Sequence, residues 1–480
     1  MAFRRTGLLL VLGAAAAMPR PTLAVTRELS DVPSFGLTFQ RSVLNQLTYD
    51  TYRTPFDELQ SRPYNLLFGN IARTANFGAW PGQQGRYTRY VDGLIGNNGA
   101  ANVDNNADAI QGTMIRRETG TSAWGLTAAI LAGTGRKDGT TAGSTFKDSN
   151  DLKALDLRGG AGFQLDDSSV LGASLRAVRA THDKTDTNFE PGVGGFTGVD
   201  TFAQLGVTAD IGVRQFLGPL SSWELQTTVG YGSAKQGTSS RNVDGTGALT
   251  DTFVSANDDI KDFSFAVTGG YNRLHRERLG ETEYRGGLAR AQRKLGNRDL
   301  AYTEALGVTT ADLTLLSQKP VTTTSAFASA RSIFQAGETE LFVGARLDFG
   351  LSGGSSSTVD TVGTIVNEKI ADSRLGLGVT LGIRQPLYRD KLRIIVSGHG
   401  DLVSDKTQTI FDANSATDRS TLTAAQYAVG LEAVLANVTL DLAWLAGEEA
   451  AVVPVPIGLP SGSRRTVQLD KLVLSAAVSW

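Results

Sequence analysis

Arginines and carboxylates recur in this sequence at alternate positions of long runs whose other positions are apolar. From Thr201 to Phe216, the residues Ala203, Leu205, Val207, Ala209, Ile211 and Val213 share one face, and Asp210 and Arg214 fall on the other. The same placement holds for Arg158, Arg176, Glu224, Asp262, Arg346, Asp348, Arg374, Arg384, Arg393 and Asp441. Charges on the face opposite an apolar one have two uses. They line a water-filled pore and set which ions or solutes pass, or they form cross-strand ion pairs that close and stiffen an interior. The mixed signs argue against a strongly charge-selective filter. Both uses remain open at the level of sequence, and these twelve residues are the candidate pore lining.

Other chemistry is sparse. Of three histidines, His399 stands two residues before Asp401, which puts both on one face of a strand. No nucleophile partner can be named for that pair, so no catalytic residue is assigned and an enzyme is not expected. His275 falls in an expected turn and His182 at the start of an expected loop. Cysteine is absent, which excludes disulfides, thiolate catalysis and thiolate metal sites. The stretches Asp183–Asn188 and Asn242–Asp251 lack calcium-loop spacing, and the glycines at 192–195 carry no phosphate-loop pattern. No metal and no cofactor are expected. A net charge of −2 excludes a basic nucleic-acid binder. There are 55 glycines against 13 prolines. Many glycines share the charged face: Gly160, Gly162, Gly206, Gly212, Gly230, Gly232, Gly376, Gly378 and Gly382. Strand curvature is the expected reason, and clearance for a solute or an inserted segment is the alternative.

The elements that carry these residues repeat from about residue 120 to the end. Each is an alternating run of some 10–15 residues followed by a polar stretch. Short polar links (Asp166–Ser169, Leu217–Ser222, Gln335–Thr339, Pro386–Lys391, Leu435–Asn437) take turns with long ones near 133–151, 182–199, 235–258, 293–320, 353–372, 403–420 and 447–465. Residues 1–24 read as a secretory signal peptide. Arg4 and Arg5 precede the apolar run Gly7 to Met18, and Thr22-Leu23-Ala24 ends in a small residue. Beyond it no apolar run approaches the roughly 18–20 residues of a membrane helix. The expected fold is therefore all-β: a transmembrane, antiparallel, up-and-down β-barrel with short periplasmic turns and long extracellular loops. Sixteen strands are favoured and 14 are possible. The barrel is expected over residues 84–480, with its first pair of strands at 84–95 and 109–117. Residues 25–83 form an N-terminal periplasmic or plug segment. The run 281–292 alternates worst, because Arg285, Arg290 and three glycines interrupt it. Trp124, Trp223, Tyr231, Tyr271, Trp444 and Trp480 fit aromatic girdles at the membrane interfaces.

The last run places Leu472, Leu474, Ala476, Val478 and Trp480 on one face and stops on an aromatic residue. It resembles the terminal strand of bacterial outer-membrane proteins, in which a final aromatic helps recognition by the barrel-assembly machinery. The resemblance covers architecture along most of the chain beyond residue 24. An N-terminal segment before the barrel is loosely similar to the outer-membrane fatty-acid transporters, and general porins are similar in size and strand count. The resemblance implies an outer-membrane location among membrane lipid and lipopolysaccharide. The expected function is a channel for passive diffusion of small solutes. The alternatives are a plugged transporter of hydrophobic substrates and a closed structural or surface-interaction barrel.

Overall fold

The computed structural model describes positions 44, 47–49, 52–53, 57–59 and 62–68, and most of the chain from 73 to 479, with short gaps the longest of which are 88–101 and 454–462. The signal-peptide expectation over 1–24 and the terminal Trp480 lie outside the described residues.

Eighteen strands follow one another in a single sheet. They are β1 Arg73–Trp80, β2 Gln83–Tyr87, β3 Asn102–Thr119, β4 Ser122–Thr141, β5 Ser144–Gln164, β6 Ser169–Glu190, β7 Gly194–Gly218, β8 Ser221–Asp244, β9 Leu249–His275, β10 Gly280–Lys294, β11 Asp299–Ala305, β12 Val308–Ala336, β13 Thr339–Asp360, β14 Ile365–Tyr388, β15 Leu392–Phe411, β16 Asn414–Leu435, β17 Val438–Val453 and β18 Ser463–Ser479. All pairings are antiparallel. Short β1 and β2 lie end to end between β18 and β3. In the same way β10 and β11 lie end to end between β9 and β12. Each of these two couples makes one stave, so the 18 strands form 16 staves. The circuit closes on itself, since β1 pairs with both β18 and β3. Closure leaves no unpaired edge within the membrane, where an unsatisfied backbone group costs several kcal/mol.

Alternation does what the sequence pattern requires. On β7, Leu205, Val207 and Ile211 are exposed on the outer face, whereas Gln204 and Asp210 are buried inside. On β14, Leu375, Leu377, Val379, Leu381 and Ile383 form an unbroken outward row opposite the buried Thr380. Similar rows on β4, β5, β8, β9, β13, β16 and β17 make a continuous apolar belt, and Tyr427 and Trp444 meet edge-to-face on it at 5.8 Å. A soluble protein does not leave such an area to water. It is the lipid-facing surface of a membrane barrel.

At one end the links are short, as expected: Asp166 accepts from the backbone and hydroxyl of Ser168, Gly337 has φ 68° and Ala436 φ 55°. At the other end much of what was expected as loop is strand among the described residues. The stretch 133–151 is a hairpin in which β4 and β5 stay paired up to Thr141 and Ser144, and β12 runs for 29 residues. A tilted strand crosses a membrane in about 9–11 residues, so the wall continues far beyond the belt. Glycine, serine and threonine suggested loop, but ladder bonds are made by the backbone, and threonine suits a strand wetted on both faces. The wall also begins at Arg73, ahead of residue 84. The strand expected at 84–95 is described only as β2, and 109–117 is part of β3.

Candidate functional site

The lumen of this barrel is occupied by its own N-terminal segment. Leu44 and Leu47 pack with Ala129, Ala154, Val178 and Ala180 from one side of the wall and Phe342, Ile395, Ala428 and Ala443 from the other. Farther along, Leu59, Tyr64, Leu66 and Leu67 cluster with Ile115, Ala123 and Val170. Tyr64 and Leu67 belong to the 3-10 turn Pro63–Phe68. The irregular mix of apolar and charged residues here suits short helical pieces wedged among side chains from all around, which need no single amphipathic period.

Wall glycines make room for these pieces. A Cβ on Gly125 or Gly160 would stand 2.9 Å from Leu59, one on Gly162 2.8 Å from the carbonyl of Pro63, and one on Gly212 2.6 Å from the ring of Tyr64. On Gly172 it would collide with the backbone of Tyr64, and on Gly430 with Leu47. The expectation of curvature is corrected at Gly160, Gly162 and Gly212, where clearance for an inserted segment is the physical cause. At Gly206 a Cβ would meet only the Gln204 side chain, at 4.0 Å.

Three polar latches hold the segment. In the first, Arg62 donates through Nη1 to both oxygens of Glu224 (3.0 and 3.1 Å) and through Nη2 to Glu283 (3.1 Å), and Glu58 lies 3.3 Å from its Nε. Arg285 reaches Glu224 at 3.1 Å, and Arg331 reaches Glu283 at 2.6 Å. Burial pushes the Glu58 carboxyl up to about 8, against the lowering effect of the Asn65 amide. In the second latch, the Tyr52 hydroxyl donates to Glu340 at 2.6 Å. Arg384 joins Glu340 (3.0 Å) to Glu432 (2.6 Å), to which Arg393 also donates. Burial raises the Tyr52 phenol, as it does that of Tyr49. In the third, Ser397 donates to the carbonyl of Leu47, and Tyr49 stacks on His399 with centroids 4.7 Å apart. His399 in turn contacts Asp401 at 2.9 Å and the Thr380 hydroxyl at 2.8 Å.

The residues expected to line a pore therefore have other work. Arg158 pairs with Asp210, and Arg176 with Asp156, all four deep in the wall. Arg214 donates to Asn65 of the plug at 2.9 Å, Asp262 pairs with Arg293 at 2.7 Å, and Asp441 accepts from Ser475 at 3.1 Å. Of the twelve, Arg346, Asp348 and Arg374 are the most exposed. Arg346 and Asp348 pair at 2.7 Å with exposures of 47% and 41%, and Arg374 lies 3.8 Å from Asp405. The residues that sequence reasoning missed are Arg62, Glu283, Arg285, Arg293 and Arg331. Glu281, Glu283 and Arg285 alternate on β10 as an inward face should, and that was the available signal. His275 ends β9 and meets Thr282 at 2.8 Å, and His182 lies within β6.

Fold and belt define the class: a transmembrane β-barrel of the bacterial outer membrane, its lumen filled by the segment that precedes its first strand. No family model and no curated protein matches the sequence. Among solved structures it is similar in general form to the Pseudomonas putida toluene transporter TodX (11% identity, 91% of this chain and 97% of that one, TM-score 0.46). It is similar likewise to the Ralstonia pickettii toluene transporter TbuX (12%, 92% and 100%, TM-score 0.41) and to a Pseudomonas aeruginosa FadL homologue (10%, 92% and 98%, TM-score 0.37).

Proposed function

We propose that this chain is a plugged outer-membrane transporter of apolar molecules rather than an open channel for small polar solutes. The observation that carries the reading is the apolar cluster around Leu44 and Leu47. Those two side chains bridge alanines and valine of β4–β6 to Phe342, Ile395, Ala428 and Ala443 across the lumen. When the segment shifts, it vacates a site lined by aliphatic carbon and one phenyl ring, and such a surface favours a solute that loses little on leaving water. A pore for ions or sugars would keep its lining polar and wet, as the stretch around Arg346 and Arg374 does. The short-turn end faces the periplasm in this reading, and the extended strands face outward.

The test is flux through vesicles that carry the purified full chain. A fluorescent apolar probe is expected to cross faster than in protein-free vesicles, while a disaccharide is retained. Free passage of the disaccharide would overturn the reading in favour of the open pore, and retention of both beyond the protein-free rate would leave a closed structural barrel.

A further inference from the structure

On several strands of the wall the first outward charge beyond the far edge of the apolar belt is basic. On β9 the outward row passes from Phe265 and Phe263 to Lys261, on β8 from Tyr231 past Ser233 to Lys235, and on β10 from Leu288 to Arg290. On β12 the first outward charge above the belt is Lys319, and the first is also basic on β5, β6, β14 and β15. This partial basic ring lies where the outer leaflet carries its headgroups in the orientation given above.

The ring has one place where the wall itself is broken. Between β10 and β11 the ladder lapses after Lys294, and the side chain of Gln318 replaces it: its Oε1 accepts from the Leu295 amide at 3.2 Å and its Nε2 donates to the Leu295 carbonyl. β12 is bulged on either side of this point, at Leu315/Ser317 and Lys319/Thr322. The lapse leaves a cavity of about 370 Å³ lined by Lys261, Lys294, Asp259, Leu315, Leu316 and Gln318. Leu316 is 48% exposed there.

Lys261 and Lys294 are direct partners in the antiparallel register. Like charges placed opposite one another destabilise a ladder. Asp259, 3.2 Å from Lys261, offsets part of this. No ion pair reaches Lys294 or Lys319 among the described residues. An anion seated between the two ammonium groups converts the repulsion into a two-point clamp with charge-assisted hydrogen bonds.

We propose that this break is a docking site for a phosphorylated glycolipid of the outer leaflet, with a phosphate between Lys261 and Lys294. Its sugar enters the cavity beside Leu316 and Gln318, and its acyl chains run down the outward phenylalanines of β9. The inference rests on the orientation given above and not on what the transporter carries, so failure of the flux test leaves it standing.

The experiment is native mass spectrometry of the full chain in detergent, titrated with purified bis-phosphorylated lipid A. One lipid is expected to bind in preference to further copies, and the double variant Lys261→Gln/Lys294→Gln is expected to weaken that binding by about tenfold, the loss of a bidentate charge-assisted contact. Lys369→Gln/Lys406→Gln, on the ring but away from the break, is expected to bind as the parent does. Retained heat-modifiable migration in gels verifies that each variant is folded. Unchanged binding by the first double variant overturns the site. An equal loss in the second shows a diffuse basic ring instead of a site. Equal affinity for phosphatidylglycerol or for dephosphorylated lipid A removes the glycolipid phosphate as the ligand.

Discussion

Two sets of inward charges on the same wall behave differently. Arg62, Glu224 and Glu283 meet with side chains only about 1–2% exposed, whereas Arg346 and Asp348 pair at similar distance with 47% and 41% exposed. Residue types and alternation parity are the same. What differs is that Arg62 of the plug enters the first set and takes water from it. Removing water there strengthens each Coulomb contact and raises the cost of leaving any member unpaired. The first set is therefore a latch, and the second is a solvated lining.

The strongest way to break this contrast is Arg62→Ala. It leaves Glu224 and Glu283 buried with fewer partners and removes the plug guanidinium that bridges them. Breaking a buried ion pair from one side costs about 3–5 kcal/mol, enough to shift the plug. Planar-bilayer recordings of the variant are expected to show frequent openings where the parent is closed. A variant as quiet as the parent would mean that the apolar clusters alone hold the segment.

A second route leaves the charges untouched. Gly172→Val places a branched side chain where the backbone of Tyr64 now lies against β6. Overpacking of this kind costs about 1–3 kcal/mol, and the strand itself welcomes valine. The barrel is expected to fold and keep its melting behaviour, while protease cleavage near the 3-10 turn Pro63–Phe68 speeds up. If cleavage stays at the parent rate, the wall moves in place of the plug, and the close fit at Gly172 is not what positions Tyr64.

The wall was legible in the sequence, whereas a plug was legible only as one of two readings of residues 25–83 and its contacts were not. Leu205, Val207 and Ile211 announce an outward face through neighbours two residues away, and period two survives whatever lies inside. The partners of Arg62 stand 162 and 221 residues from it, and no local pattern reports such a pairing. The inward glycines of β4 to β7 did carry a trace of the plug. Gly125, Gly160, Gly162, Gly172 and Gly212 sit on adjacent strands, and a patch of missing side chains on one face is a cavity waiting for a filler. Curvature explained each glycine singly, and only their adjacency shows the difference. Strand β10 misled for a related reason. Its inward charges serve the latch, Arg290 faces outward, and the mixture hid a regular alternation.

The smallest effect is expected where the contrast says least is at stake. Arg346→Ala removes one member of a half-exposed pair and the cation–π contact of its guanidinium with Phe327, whose centroid lies 4.5 Å away. Exposed pairs contribute about 0–1 kcal/mol, and Asp348 left behind is solvated at once. Thermal melting is expected to stay within about 2 °C of the parent, since about 1 kcal/mol moves the midpoint of a chain this large by only a few degrees. Plug closure in bilayers is expected to be unchanged, because the pair supplies none of the hydrogen bonds of the three latches. What should change is the local field, so cation selectivity measured in the Arg62→Ala background is expected to rise when Arg346→Ala is added, as Asp348 then stands without its counter-charge. A melting shift as large as that of the latch variant would show that the two sets are one network, and the division between latch and lining would have to be withdrawn.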